Sequence, residues 1–278
     1  MVPPVYIKAA LPFTLLTRSP VAPGRTPVRL FHRERGNGPV VTILHGGWGY
    51  EAYPFDRVLS ALQAHHRVVA PDRLGYGRSD RVPDLPDGFH QAMAEETVLA
   101  LDALGIETAV LWGHSDGAVV AAWTAILFPD RVRALVLEAL HYFADKPSSL
   151  EFFRAAVASP ERYGEATTAA LARDHGESWR DVVAAGGRAW LRILERGARG
   201  EPDLYGGRLG EVRCPTLLLH GRRDPRTEPG EIEAVLRALP AARLELLDTG
   251  HSPHTGSRAD ECTALGLEFI EGARNRGR

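Results

Sequence analysis

Gly113-His114-Ser115-Asp116-Gly117 sits between the apolar run 108–112 and the apolar segment 118–123, and that order leaves a chain few ways to fold. The run before it reads as a buried strand and the segment after it as the start of a helix. The serine therefore falls in a sharp strand-to-helix turn. A side chain at either glycine would crowd the neighbouring strand or helix, and the serine must take backbone angles that most residues avoid. The ordinary alternative is a helix N-cap serine, and the rest of the chain has to decide between the two.

The surrounding pattern alternates strands with helices. Strands are predicted at 28–33, 40–44, 67–70, 132–138, 214–220 and 243–247, and helices at 55–64, 89–104, 230–239 and 257–271. Such alternation implies an α/β fold, with a mostly parallel central sheet flanked by helices. It stops at about His141 and resumes at about 211. The Ala/Arg/Glu-rich stretch between reads as a helical insertion, which divides the chain into a core (1–140 and 211–278) and a helical cap (141–210). The lead before Val28 reads as irregular and the last residues, 273–278, as a frayed basic tail.

Composition narrows the function classes. A chain of 278 residues, 44% hydrophobic and 24% charged, has enough apolar material for one large core. Its formal net charge is −2 and no Lys/Arg block stands out, so neither a nucleic-acid partner nor a membrane partner is expected, and a small-molecule substrate is. Cys214 and Cys262 are too few for a disulfide framework and read as reduced core thiols. Residues 1–16 are mildly apolar but interrupted by Lys8, Pro3, Pro4 and Pro12, without a cleavage pattern, and no apolar stretch reaches spanning length. A cytoplasmic protein is expected; whether it forms a homodimer stays open.

A serine hydroxyl needs a histidine to take its proton and a carboxylate to orient the imidazole. Asp224, in the loop after the strand ending at His220, and His251, in the loop after the last strand, would lie with Ser115 at the C-terminal edge of the sheet. Glu138 and Asp248 are rival acids at strand ends, and His254 is the rival base, better suited to a surface loop. Two amides are expected to meet an oxyanion: that of Asp116, whose side chain is read as incidental, and that of Gly47, with Trp48 as the neighbouring possibility. Trp48, His141, Tyr142, Trp179 and Trp190 are candidates for a substrate pocket, and Tyr76 is undecided between pocket and core. His45 and His114 read as packed structural histidines, since no metal-ligand spacing accompanies them; no metal or cofactor is expected. Arg73, Arg78 and Arg81 are expected in ion pairs with Asp72 or Asp80 rather than on an anionic substrate.

The segments His45-Gly46-Gly47-Trp48, 72–79 (DRLGYGRS), Gly113-His114-Ser115-Asp116-Gly117, Asp224 and Gly250-His251-Ser252 occur in an order that resembles the α/β-hydrolase fold family, in its cap-bearing serine esterase, lactonase and haloperoxidase-like group. The resemblance implies a helical cap after the sixth family strand and a Ser, Asp, His chain order. It also implies that haloalkane dehalogenase and epoxide hydrolase activities, which use an aspartate nucleophile, are not those of this chain. The expected function is cleavage of a small-molecule carboxylic ester, thioester or lactone through an acyl-enzyme. Two alternatives are carbon–carbon bond hydrolysis of a vinylogous diketone, as in meta-cleavage hydrolases, on the same triad, and a ligand-binding or pathway-accessory role with vestigial catalysis.

Overall fold

In the computed structural model, which describes residues 12–276, each strand expected from the sequence is present and one more precedes them. The chain runs β1 (Phe13–Leu16), β2 (Val28–Arg35), β3 (Val40–Leu44), α1 (Asp56–Leu62), β4 (Arg67–Pro71), α2 (Phe89–Ala103), β5 (Ala109–His114), α3 (Asp116–Leu127), β6 (Val132–Glu138), α4 (Leu150–Ala158), α5 (Glu165–His175), α6 (Trp179–Ala198), β7 (Thr216–Gly221), α7 (Glu231–Ala238), β8 (Arg243–Leu247) and α8 (Ala259–Arg276). The eight strands form one sheet in the order β1-β2-β4-β3-β5-β6-β7-β8. β1 and β2 are antiparallel to each other, β2 is antiparallel to β4, and the rest are parallel. β5 and β7 are buried along their whole length, as expected of parallel strands covered on both faces. β8, at the edge, is half-buried and carries Arg243 and Glu245, charges that discourage further pairing.

α1 and α8 cover one face through Val58, Leu59, Leu62 and Phe269, packed on Val41, Ile43 and Trp112. The other face is covered by α2 and by α3, which is apolar around its circumference and enclosed on all sides. Between β6 and β7 lie α4, α5 and α6, with an isolated bridge from Phe143 to Asp203 as the extended pairing in that stretch. Phe153, Val182, Trp190 and Ile193 from these helices join the apolar cluster of α2 and α3, so the insertion rests directly on the sheet layer that carries Ser115.

The two ends depart from expectation. β1 is ordered because Thr14 and Leu16 are buried against β2, a four-residue alternation too short to stand out beside Pro12. α8 continues to Arg276 instead of fraying from 273, and Glu271 pairs with Arg274 along it. Residues 1–11, on which most of the leader argument turns, and 277–278 lie outside the described residues. No helix among the described residues is long and apolar enough to cross a membrane.

The turn between β5 and α3 is strained. Ser115 has φ 53° and ψ −121°, a conformation costing a β-carbon residue on the order of 1–3 kcal/mol. Its N–H donates to the Glu138 carbonyl at 2.9 Å, and its own carbonyl accepts from Ala118 and Val119 at 2.9 and 3.1 Å. A Cβ on Gly113 would collide with the Gly117 carbonyl, and one on Gly117 with the carbonyls of Leu44 and His45. Gly117→Ala is accordingly expected to destabilise by about 1–3 kcal/mol, lowering the Tm by about 2–10 °C. An unchanged thermal melt would mean that β3 and α3 are not held at this separation.

Candidate functional site

Ser115 opens into a cavity of about 170 Å³ whose wall includes Gly47, Trp48, Tyr53, His114, Asp116, His141, Phe152, Phe153, Trp190, Arg226 and His251. The loop after β8 brings His251 to it, and the loop after β7 sets Asp224 behind that ring with Arg226 in the wall. His251 Nδ1 donates to Asp224 Oδ2 at 2.9 Å, which leaves Nε2 as the nitrogen with a lone pair. Burial alone would raise the Asp224 carboxyl. The hydrogen bond and charge of His251, with the Arg226 amide at 2.8 Å, outweigh it and hold the group well below the carboxylate range. Ser115 Oγ does not rest on His251. It is hydrogen-bonded to His141 Nε2 at 3.3 Å, and the His141 and His251 rings lie nearly parallel, 5.5 Å apart. Desolvation and then the charge of Lys146 keep His141 neutral, its pKa far below 6.5. The segment after His141 is fixed by buried Glu231, which accepts from the amides of Tyr142 and Phe143 and from Lys146 Nζ.

The 45–49 loop is locked from beneath. The Arg73 amide donates to His45 Nε2 at 3.0 Å, so Nδ1 carries the proton and donates to the Gly46 carbonyl at 2.8 Å. That carbonyl also accepts from Arg73 Nη2 and from the Gly49 amide. The turn so closed does not use the amides of Gly47 and Trp48, and Asp116, at the first position of α3, has no intrahelical acceptor for its own. His45 is thus a packed structural histidine. The arginines are not partnered as expected: Asp72 pairs with Arg33 and Asp80 with Arg29, both from β2. Arg73 holds the loop, Arg78 lies over Phe31, and Arg81 reaches Ser178 and the His175 carbonyl.

The Asp116 side chain is not incidental. It is buried, accepts from Trp190 Nε1 at 2.9 Å and His90 Nε2 at 3.0 Å, and presses on Gly47, where a Cβ would strike Oδ2. Burial pushes its carboxyl up, but the His90 hydrogen bond and charge, with Arg73 and Trp190, bring it below the usual value. A carboxylate therefore lines the cavity beside Ser115. Nothing local in the sequence signals this, because its partners come from α2 and α6.

The two rivals to Asp224 and His251 pair with each other. His254, expected on the surface, is buried against Phe55 with ring centroids 3.9 Å apart. Its Nδ1 meets Glu138 Oε1 at 2.6 Å, its Nε2 meets the Tyr53 carbonyl at 3.1 Å, and its amide also donates to Glu138. Both ring nitrogens are thereby held by oxygen atoms. Burial would raise Glu138, yet the charge and hydrogen bonds of His254 lower it to about 2. His114 completes a buried group whose ligating atoms lie within 4.8 Å. Its Nε2 is engaged by the His251 carbonyl and Ser252 Oγ and its Nδ1 is buried without a partner; both His254 nitrogens are occupied by Glu138 and the Tyr53 carbonyl, so the cluster reads as a brace under the His251 loop. Asp248 instead pairs with exposed Arg223.

Of the pocket candidates, Trp48, His141 and Trp190 line the cavity. Tyr142 and Trp179 do not. Tyr142 turns toward Tyr205, and Trp179 is buried among Ala156, Leu171 and Val183 behind the wall. Tyr76 belongs to the core, packed on His45. Phe152, Phe153 and Arg226 went unnoticed in the sequence; an apolar pair on α4 and an arginine two residues after Asp224 were the available signals. Cys262 is a core thiol and Cys214 is only half-buried; both are free.

A family model described as alpha/beta hydrolase fold matches residues 39–203. Bifunctional epoxide hydrolase 2 of Sus scrofa is 34% identical over 114 residues, 39% of this chain and 20% of that protein; the chain thus matches about a fifth of the length of this relative. Serine hydrolase BPHL of Homo sapiens is 27% identical over 88% of this chain and 84% of its own. Among solved structures, a thermophilic esterase from Thermogutta terrifontis superposes with a TM-score of 0.69 at 24% identity, covering 94% of this chain and 98% of the other.

Removing the Glu138 charge tests the brace. Glu138→Gln leaves a buried imidazole without its counter-ion and is expected to cost about 3–5 kcal/mol. The folded group holds its charge down to about 2 against an ordinary 4.5, so its stabilisation is complete above about pH 5 and is lost as pH falls through about 2. Urea melts across that window should fall more steeply for the parent than for Glu138→Gln; equal slopes would refute the ion pair.

Proposed function

The chain belongs to the alpha/beta hydrolase fold family, and on that premise we propose that it is a serine hydrolase cleaving a small carboxylic ester, thioester or lactone through an acyl-enzyme. The observation that carries the reading is the 2.9 Å Asp224–His251 contact bordering the cavity into which strained Ser115 projects. When substrate enters, Ser115 Oγ turns from His141 to His251 Nε2, a tightening common on substrate binding. Oγ then attacks the carbonyl while His251 takes its proton, and the resulting imidazolium is stabilised by Asp224. The Asp116 and Gly47 amides receive the oxyanion. Collapse expels the alkoxide, which takes the proton from His251, and water repeats the cycle on the acyl-enzyme.

Epoxide hydrolases are among the relatives, but the family resemblance ties their chemistry to an aspartate nucleophile, and position 115 offers an alcohol. A cavity of about 170 Å³ is smaller than the several hundred Å³ of drug-sized pockets, which favours a short acyl chain.

A nitrophenyl acetate assay should give a burst approaching one equivalent of phenolate, and a fluorophosphonate should label Ser115. Ser115→Ala should abolish both, and Asp224→Asn should lower kcat by about 10⁴. Neither burst nor label in folded protein, or a loss with Glu138→Gln per folded molecule as large as with Asp224→Asn, would overturn the assignment.

A further inference from the structure

Arg226 stands apart from the other charged groups around the cavity. Asp116 is engaged by His90 and Trp190, Asp224 by His251, and Lys146 by Glu231. The Arg226 guanidinium lies 4.0 Å over the Phe152 ring, and among the described residues it has no hydrogen-bond or ion-pair partner. Its Nη1 is buried without a partner, although the residue lines the same cavity as Ser115 and His251. A buried donor left unmet costs free energy that a native structure ordinarily avoids, and a guanidinium fixed on an aromatic face presents its remaining N–H groups in a set plane. Burial lowers the pKa of this arginine, and the charge of nearby Asp224 offsets only part of that.

We propose that Arg226 is the recognition point for a carboxylate carried by the substrate, so that the ester or lactone cleaved is itself an anion. The inference rests on the hydrolase reading of the same cavity and adds to it the class of substrate. A single carboxylate matches the planar donor, and a doubly charged phosphate does not match a wall that also holds the Asp116 anion. An aromatic row separates the two charges: Phe152 and Phe153 at 5.3 Å, then Phe153 stacked on Trp190 at 4.9 Å, whose Nε1 holds Asp116. The substrate's apolar stem would lie along that row with its anionic end toward Arg226, away from the carboxylate.

The test compares nitrophenyl hydrogen glutarate with the nitrophenyl ester in which an isopropyl group replaces the free carboxylate. A second pair, the acetyl esters of hydroxybenzoate and cresol, puts the carboxylate on the leaving group instead. The parent enzyme should favour the anionic member of one pair by about 10- to 100-fold in kcat/KM, the value of a charge-assisted hydrogen bond, and the favoured pair tells which side carries the carboxylate. Arg226→Met should erase that ratio and Arg226→Lys should restore part of it. Neutral esters preferred in both pairs, or a preference untouched by Arg226→Met, would overturn the proposal while leaving the hydrolase intact. Calorimetric binding of glutarate to Ser115→Ala separates the two readings: binding lost on adding Arg226→Met supports the carboxylate site even where no ester is turned over, and no binding to either form counts against it.

Discussion

One residue's backbone organises the molecule: Ser115 is held with positive φ where β5 ends and α3 begins. The conformation survives because neighbours on both sides leave it no alternative. The Glu138 carbonyl from β6 takes its N–H, while Gly113 lets the start of α3 fold back over β5 and Gly117 lets it approach the end of β3 more closely than any side chain would permit. Sheet order then does the rest. With β6 beside β5, β7 next to β6 and β8 beyond, parallel strands deliver the loops carrying Asp224 and His251 to the same edge, without a long excursion of chain.

Three carboxylate–histidine couples surround that turn: Asp224–His251, Glu138–His254 and Asp116–His90. Burial opposes the carboxylate charge in all three and the surrounding hydrogen bonds and charges overcome it in all three, whereas on His90 burial prevails and lowers the imidazole pKa. What separates them is access. The Glu138–His254 couple has no exposure and its ring nitrogens are spent on Glu138 and Tyr53. Asp116 is shared between His90 and Trp190. Only His251 keeps one nitrogen for the cavity while the other is oriented by a carboxylate.

Features set by local order were legible in the sequence. Strand, glycine-flanked turn and helix are contiguous, so Ser115 could be read directly, and so could the loops ending β7 and β8 that carry Asp224 and His251. Side-chain partnership was not legible. That Glu138 and His254, 116 residues apart, would find each other and withdraw from competition depends on β6 lying beneath the last loop. Asp116 became a wall of the cavity through Trp190 on α6, and the insertion's lining came from Phe152 and Phe153, not from Tyr142 or Trp179. An amphipathic helix announces which face is buried, not whether that face meets core or cavity.

Two histidines flank the Ser115 hydroxyl, and electrostatics decides which can serve as base. The observed bond is to His141, at 3.3 Å a long one for O and N, so leaving it costs little. A proton on His141 would face burial and the positive charge of Lys146, which is tied in place by Glu231. The same proton on His251 would face a carboxylate at 2.9 Å whose charge is secured by its own hydrogen bonds. In the proposed reaction, attack would develop positive charge on whichever imidazole takes the proton, which favours the path through His251. In the proposed reaction the serine rests on the histidine that cannot hold its proton and would react through the one oriented by Asp224.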